Sequence, residues 1–275
     1  MMGFFKRIMA IDRRIIYVIM AFAVIVPLIF PLGLPVTITP EVKNVYDKIE
    51  RLNPGDVIMV ALCYDPSTIS EMQPMAYAVL RHCFAKNLKV IVSGSFLTGV
   101  VLMEQDTRKI AEECGYEYGR DYIYLGYNPY PAVVIMGMGE NFRIPYPRDY
   151  YGTPLDDLEM MRRIQNYDDI KFVLNITATN SIDFWILYGH ERYRVPLGLG
   201  IVAVSATNYY PYLQSGQIFG IIPGLKGASE YEKLISRRDS ASVGMDIQSV
   251  AHMAILLFIL LGNVGYFMTK KARKG

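Results

Sequence analysis

Two apolar segments, one near each end of this 275-residue chain, constrain its structure most strongly. They run from Ile15 to Leu34 and from Val250 to Met268, and neither contains Lys, Arg, Asp or Glu. About 20 apolar residues suffice for a helix to cross a hydrocarbon core of roughly 30 Å. The first run is longer than the apolar part of a signal peptide, and no small-residue cleavage site follows it. We therefore predict transmembrane helices at 15–34 and 250–268.

Basic residues flank both apolar segments. Residues 1–14 carry four Lys or Arg against one acid, and residues 269–275 carry four against none. Lys and Arg in short flanks stay in the cytoplasm, whereas long loops are translocated largely regardless of their charge. The pattern predicts two cytoplasmic tails close to anionic membrane lipid and an extracytoplasmic central domain.

The central part is acidic although the whole chain has a net charge of +2. Of the 28 Lys and Arg, eight lie in the tails, and of the 26 acids only Asp12 does, which leaves 20 cations and 25 acids between them. An acidic domain of this kind argues against nucleic acid as a partner.

Polar and small residues interrupt the second apolar segment. His252 and Asn263 are eleven residues apart, which places them about 20° from a common face of a helix. Such residues in membrane helices usually contact protein rather than lipid. We predict that this side of the segment packs against another helix, and the alternative is a proton or ion path. The predicted helix-packing face consists of His252, Leu256, Ile259, Gly262, Asn263 and Gly265.

Between the two anchors, short apolar runs alternate with longer amphipathic ones. Helical patterns occur at 72–87, 102–114 and 181–193. Strands and helices that alternate at this spacing indicate a parallel sheet covered on both faces. We predict a three-layer, Rossmann-like α/β domain over 41–236, with a mostly parallel sheet of five to six strands. The predicted strands are 56–64, 89–96, 121–127, 171–179 and 199–207, and 217–224 is either a sixth strand or an apolar loop.

Two stretches depart from this alternation. Within 129–169, the apolar run Ala132–Met138 is a candidate helix, and Thr153–Pro154 followed by two Asp residues predicts the start of another. Residues 237–249 are small and polar, and we expect them to tether the domain to the second anchor.

Polar residues gather where the predicted strands end. Ligands of open parallel sheets bind outside the carboxyl ends of the strands, where Ser, Thr and Asn can hold a small polar ligand or a phosphate. The same residue types also cap helices and form turns, which is the main alternative. The candidate ligand-binding residues are Asp65, Ser67, Ser93, Ser95, Asn175, Thr177, Asn180, Ser181 and Ser205.

The sequence lacks the common catalytic and metal-binding patterns. No G-x-G-x-x-G or Walker A pattern follows the first predicted strand, and there is no G-x-S-x-G elbow. Cys63, Cys83 and Cys114 show no C-x-x-C spacing and are expected to be small core residues. We therefore predict no catalytic residue, no metal site and no cofactor.

Tyrosine is unusually frequent, with 21 residues against 12 Phe and one Trp. Many lie in loops rich in Pro and Gly, where a large side chain with a polar tip suits a protein interface. The interface candidates are Tyr127, Tyr130, Tyr146, Tyr150, Tyr151, Tyr209, Tyr210 and Tyr212.

Several longer strings carry a resemblance to a known family. They are YDPSTISEMQPMAYAVLRHCF, YGTPLDDLEMMRRIQNYDDI, YYPYLQSGQ, GLKGASEYE and AHMAILLFILLGNVGYF. Together they resemble a family of bacterial and archaeal membrane proteins with no known activity. The resemblance covers most of the chain. It implies the layout of anchor, Rossmann-like domain and anchor in a prokaryotic cytoplasmic membrane, and it implies no chemistry.

Double anchoring, Tyr-rich loops and the lack of catalytic patterns favour a non-enzymatic subunit of a prokaryotic membrane assembly, with homo- or hetero-oligomeric partners. The alternative is a membrane-tethered module that binds or senses a small ligand at the carboxyl edge of the sheet. A remote alternative is a hydrolase or transferase that uses Asp65 and Ser95.

Overall fold

The computed structural model describes residues 12–272, with side chains as far as Phe267. Val36–Ala241 form one compact unit, the α/β domain, and the segments up to Pro35 and from Ser242 form a second unit. Most of the two predicted basic tails lies outside the described residues.

Six parallel strands form the sheet of the α/β domain, in the order β3-β2-β1-β4-β5-β6. This order is that of a Rossmann-like doubly wound sheet, so the predicted fold class is confirmed for the domain. Nearly every strand residue is buried, as expected for a parallel sheet covered on both faces. The strands are β1 Val57–Cys63, β2 Lys89–Gly94, β3 Tyr122–Tyr127, β4 Val173–Thr177, β5 Leu197–Ile201 and β6 Gly220–Pro223.

The helices vary widely in length. A π-helical turn, Trp185–His190, joins two short helical pieces after β4, and single 3₁₀ turns occur between the longer elements. The helices are α1 Arg13–Ile29, α2 Pro40–Glu50, α3 Ile69–Ala85, α4 Val100–Cys114, α5 Pro131–Glu140, α6 Ser181–Phe184, α7 Glu191–Tyr193, α8 Ala203–Ala206, α9 Tyr210–Gln214, α10 Gly224–Leu234 and α11 Ser240–Ala272.

The sequence pattern did not predict α2. Pro40 stands at its start, and its three buried residues, Val42, Val45 and Ile49, follow helical spacing. The helix lies close against β6, because a Cβ added at Gly220 would be only 2.9 Å from the backbone oxygen of Glu41. Glycine at this position therefore allows α2 to cover the last strand.

The prediction of a helix that starts at Thr153–Pro154 is wrong. The segment forms three 3₁₀ turns, Leu155–Asp157, Glu159–Arg163 and Tyr167–Asp169. Between the turns the backbone is extended at Leu158 and at Ile164, which prevents a continuous helix. The buried residues of the segment are Leu155, Leu158, Met160, Met161, Ile164, Tyr167 and Ile170. By contrast, the apolar run at 132–138 lies within α5.

Two further boundaries differ from the prediction. β5 ends at Ile201, and the residues expected to extend it to 207 begin α8, so Ser205 lies on a helix rather than at a strand end. The backbone amide of Ala203 donates to the carboxylate of Glu71 at 2.9 Å, which holds the start of α8 against α3. The expected tether at 237–249 is helical from Ser240 onward.

A buried carboxylate joins three elements beside β1. Asp106 on α4 is 3% exposed and accepts hydrogen bonds from the Tyr64 and Tyr77 hydroxyls at 2.8 and 2.7 Å. The side-chain amide of Gln73 donates a third at 2.7 Å. Because Tyr64 follows β1 and Tyr77 and Gln73 lie on α3, Asp106 fixes both of these elements to α4.

In the second unit, one described helix is long and apolar enough to cross a membrane, within Ser240–Phe267. α1 has 17 residues and is therefore about 25 Å long, shorter than the predicted span 15–34 and than a hydrocarbon core of about 30 Å. Asp246 accepts hydrogen bonds from the backbone amides of Gly33 and Leu34 at 3.0 and 3.1 Å. This carboxylate thus connects the segment after α1 to α11.

The predicted packing face of α11 is largely exposed. Leu256 and Ile259 are 58% and 52% exposed, and a Cβ added at Gly262 would meet nothing within 4 Å. His252 and Asn263 are exposed as well, while Gly265 is buried. The least exposed positions of this stretch follow another stripe, spaced three or four residues apart as on one face of a helix. They are Ala251, Ala254, Phe258, Leu261 and Gly265.

Candidate ligand-binding site

A cavity of about 270 Å³ opens at the carboxyl edge of the sheet. Cys63 at the end of β1, Ser93 in β2 and Thr179 just after β4 line it. The strand order reverses between β1 and β4, and ligands of doubly wound sheets bind at this switch point. The cavity therefore lies where the fold places ligands.

Hydrogen bonds fix the floor of the cavity. The Cys63 thiol lies 3.3 Å from the Thr179 hydroxyl and donates to the Ser95 carbonyl oxygen at 3.6 Å. The Thr179 amide donates to the Thr177 hydroxyl at 2.9 Å, which turns the chain out of β4. These contacts bring the ends of three strands to one surface.

A second set of hydrogen bonds holds α6 beside the cavity. The Ser181 hydroxyl donates to Asn175 Oδ1 at 2.9 Å, and Asn175 Nδ2 donates to the Ala61 carbonyl oxygen at 2.9 Å. Asn175 is fully buried in β4, so its amide links β1 to the first residue of α6. Asn175 thus positions the site from beneath.

Aromatic and apolar side chains form the walls. They come from the ends of β2 and β3, from α5 and the segment after it, from the end of α6 and from the start of the π-helical turn. A π-helical turn inside an α-helix is rare and often lies at a functional site. Trp185, the single Trp of the chain, begins this turn and is 2% exposed. The aromatic wall residues are Phe96, Tyr127, Tyr146, Phe184 and Trp185.

Four of the nine predicted ligand-binding residues line the cavity: Ser93, Ser95, Asn180 and Ser181. Two others, Asn175 and Thr177, are fully buried and support it from below. The remaining three, Asp65, Ser67 and Ser205, are not among its lining residues. Asp65 lies in the turn after β1, where its Oδ1 accepts from the Ser67 amide and hydroxyl at 3.0 and 2.6 Å.

The sequence did not indicate Cys63, Trp185 or the α5 residues as part of the site. Cys63 looked like a small core residue, and its 2% exposure agrees with that interpretation although it also lines the cavity. α5 lies in the irregular region after β3. The alternation of strands and helices did not predict where this region lies relative to the sheet.

The Tyr-rich loops have mixed environments. Tyr130 is 75% exposed, and Tyr150 and Tyr151 are exposed as well, so these three remain available to a partner. Tyr146 and Tyr209 are buried within the domain, which corrects their assignment as interface residues. Tyr127 and Tyr146 line the cavity, and the half-buried candidates are Tyr210 and Tyr212.

The cavity carries no acid–base apparatus on its described lining. None of the lining residues is Asp, Glu, Lys, Arg or His. Burial raises the pKa of the Tyr146 phenol, which keeps this hydroxyl neutral at physiological pH. Across the described residues, no group of three or more His, Cys, Asp or Glu is arranged to hold a metal ion.

A second, more open cavity of about 700 Å³ lies near the ends of α2, α3 and α10. His82 lines it and contacts the Tyr231 hydroxyl through Nδ1 at 2.7 Å and Glu50 through Nε2 at 3.0 Å. Burial lowers the pKa of His82, although Glu50 opposes this shift. Arg81 pairs with Glu113 at 2.8 Å. These paired groups join helices, so we assign this cavity a structural role.

Comparisons with known proteins add little. No protein family matches the chain, and no curated protein matches it. A solved trehalose-6-phosphate synthase, OtsA, has 10% sequence identity to the chain and a TM-score of 0.28. The match covers 87% of this chain and 47% of that one, so the chain spans about half the length of that enzyme. A TM-score this low carries no argument about fold or function.

Proposed function

We propose that this protein is a membrane-anchored module that binds a small molecule at the carboxyl edge of its sheet. The cavity at the switch point between β1 and β4 carries this proposal, because it is a formed, concave space where the topology places ligands.

Unpaired polar groups support a binding role. Ser93 is only 2% exposed. Within the described part of the chain its hydroxyl has no hydrogen-bond partner, and this oxygen is not fully enclosed by protein. Buried polar groups are nearly always hydrogen-bonded to protein or to ordered water. A hydroxyl that lines a cavity without a protein partner is therefore ready to bind water or a ligand.

The membrane part of the proposal rests on the apolar end segments. α11 supplies one span, and we place a second at 15–34, where α1 and the apolar residues after it cross together. The basic flanks put both tails in the cytoplasm and the α/β domain outside it. A ligand would then come from the extracytoplasmic side of a prokaryotic membrane.

Alkylation of Cys63 tests whether small molecules occupy the cavity. The full chain in mild detergent is treated with iodoacetamide, with and without the low-molecular-weight fraction of a bacterial lysate. Modification of each cysteine is then followed by peptide mass spectrometry. We expect the fraction to slow alkylation of Cys63 about tenfold when a ligand is present at ten times its Kd. Half-buried Cys114, outside this cavity, is the internal control.

A cavity-filling variant sharpens this test. Ser95→Phe places a ring in the cavity and should abolish the protection of Cys63. Ser67→Phe makes the same change in the exposed turn after β1 and should keep it. Equal alkylation of Cys63 with and without the lysate fraction in the wild-type protein would contradict the proposed function.

A second candidate function, a subunit of a membrane assembly, is supported by the exposed face of α11. His252 and Asn263 lie among exposed apolar residues there, and polar side chains in a membrane prefer protein contacts to lipid. We place a partner helix, from a second copy or another protein, on this face.

The double variant His252→Leu, Asn263→Leu tests the assembly. If the two polar side chains hold a partner helix, the particle extracted in mild detergent should shrink to a single chain in its detergent micelle. Size-exclusion chromatography with light scattering measures its mass. Met253→Leu, an exposed apolar exchange on the same helix, is the control. A wild-type particle that is already a single chain would refute this second candidate.

A further inference from the structure

Charge is the first property of the cavity that limits what it can bind. Because its described lining has no ionisable acid or base other than Tyr and Cys, a charged ligand would lose its hydration without meeting an opposite charge. The turn after β1, where dinucleotide-binding folds carry a Gly-rich phosphate loop, holds the Asp65 carboxylate instead. Both observations disfavour phosphates and other anions.

The walls favour a planar ring. Five of the lining residues are aromatic, and Met138 and two prolines stand beside them. Aromatic rings interact well with other rings in offset or edge-to-face arrangements, and the Met thioether adds contacts to ring edges.

The polar side of the cavity favours a ligand with a hydrogen-bonding group. The side chains of Ser93, Ser95 and Asn180 have no hydrogen-bond partner among the described residues. Asn128 donates from Nδ2 to the Pro145 carbonyl oxygen at 2.7 Å. A carbonyl, amide or hydroxyl on the ligand could pair with the three unpartnered groups.

Size sets the last limit. At about 270 Å³ the cavity lies just below the range of roughly 300–1,000 Å³ that is usual for drug-sized ligands. It has room for one or two rings and is too small for a dinucleotide.

From these four properties we infer that the cavity takes an uncharged small molecule with a planar ring and a neutral amide, carbonyl or hydroxyl group. This inference rests on the proposed function and deepens it. The ring lies against Trp185 and Phe184, and the polar group faces Ser93 and Ser95.

Three nearly isosteric probes test the inference: benzamide is neutral, benzoate is an anion and benzamidine is a cation. Trp185 is the only Trp, so its fluorescence reports binding directly, and protection of Cys63 from iodoacetamide reports it independently. We expect a saturable change with benzamide at a concentration at least tenfold below that needed for either charged probe, a difference of about 1.4 kcal/mol. Ser95→Phe should abolish this change, and Ser67→Phe should preserve it.

The possible outcomes separate the inference from the proposed function. If benzoate or benzamidine binds as tightly as benzamide, the assignment of an uncharged ligand is overturned while the binding cavity stands. If none of the probes binds but the lysate fraction protects Cys63, the ligand class is again overturned and the function stands. If neither the probes nor the lysate fraction affects Cys63, both are overturned.

Discussion

Raising the pH above about 10 is expected to unfold the α/β domain in one cooperative step. Four of the tyrosines buried in its core carry this prediction, each with no more than 6% of its surface exposed. Burial raises the pKa of each phenol, and the Asp106 carboxylate raises that of Tyr64 further. The four residues are Tyr64, Tyr146, Tyr167 and Tyr231.

The sign of this effect follows from proton binding. In the unfolded chain a phenol ionises near pH 10, whereas in the folded domain the raised pKa keeps it protonated at that pH. The folded state therefore binds more protons above pH 10, and the free energy of unfolding falls as the pH rises. Four such groups lower it by about 5 kcal/mol per pH unit, so a domain with typical stability unfolds within roughly two pH units.

Tyrosinate absorbance and far-ultraviolet circular dichroism, recorded together during an alkaline titration, check this expectation. The first increase in tyrosinate absorbance should come from exposed side chains, without loss of helical signal. The buried ones should ionise only together with the loss of that signal. Full ionisation of all tyrosines near pH 10, with the dichroism unchanged, would show that the core phenols are accessible and would overturn the prediction.

Replacing Asp106 by Ala is expected to lower the free energy of unfolding by about 3 kcal/mol. The Tyr64 hydroxyl, the Tyr77 hydroxyl and the Gln73 amide would all lose their acceptor. Tyr64 is 1% exposed, so water cannot replace the lost hydrogen bond there. The midpoint of urea unfolding, with an unchanged slope, measures the effect.

Two matched variants show whether the loss of stability comes from the lost hydrogen-bond acceptor. Asp106→Asn keeps one carbonyl acceptor and should cost less than the Ala variant. Asp157→Ala removes an exposed carboxylate and should change the free energy of unfolding by no more than about 0.5 kcal/mol. The structural role of Asp106 would be refuted if its Ala variant unfolded at the same urea concentration as Asp157→Ala.

The buried strands could be predicted because their apolar runs are continuous. The run predicted at 56–64 became β1 with a shift of one residue at each end. β5 was harder to predict, since two of the five residues in its sequence LGLGI are glycine and the more β-like residues after it form α8. At this position the hydrogen bond between Glu71 and the Ala203 amide outweighs the local β propensity. A pattern along the sequence contains no information about this long-range contact.

The site was only partly predictable for a similar reason. Topology brings the ends of parallel strands together, so Ser93 and Asn180 could be expected at one edge. Trp185 and α5 reach the cavity through the π-helical turn and through the irregular region after β3, and neither has a signal in hydrophobic spacing. The capping pattern at Thr153–Pro154 indicated a helix start, but the backbone becomes extended at Leu158 and again at Ile164, which the capping residues alone do not reveal.

The contact between Asp246 and the amides of Gly33 and Leu34 gives the two end segments a direct mechanical link. The segment after α1 is held against α11 by the side chain of Asp246. In the sequence, Val36–Ala241 lies between these two end segments as an inserted domain would. Asp246 therefore joins the two end segments through a contact that does not involve the sheet.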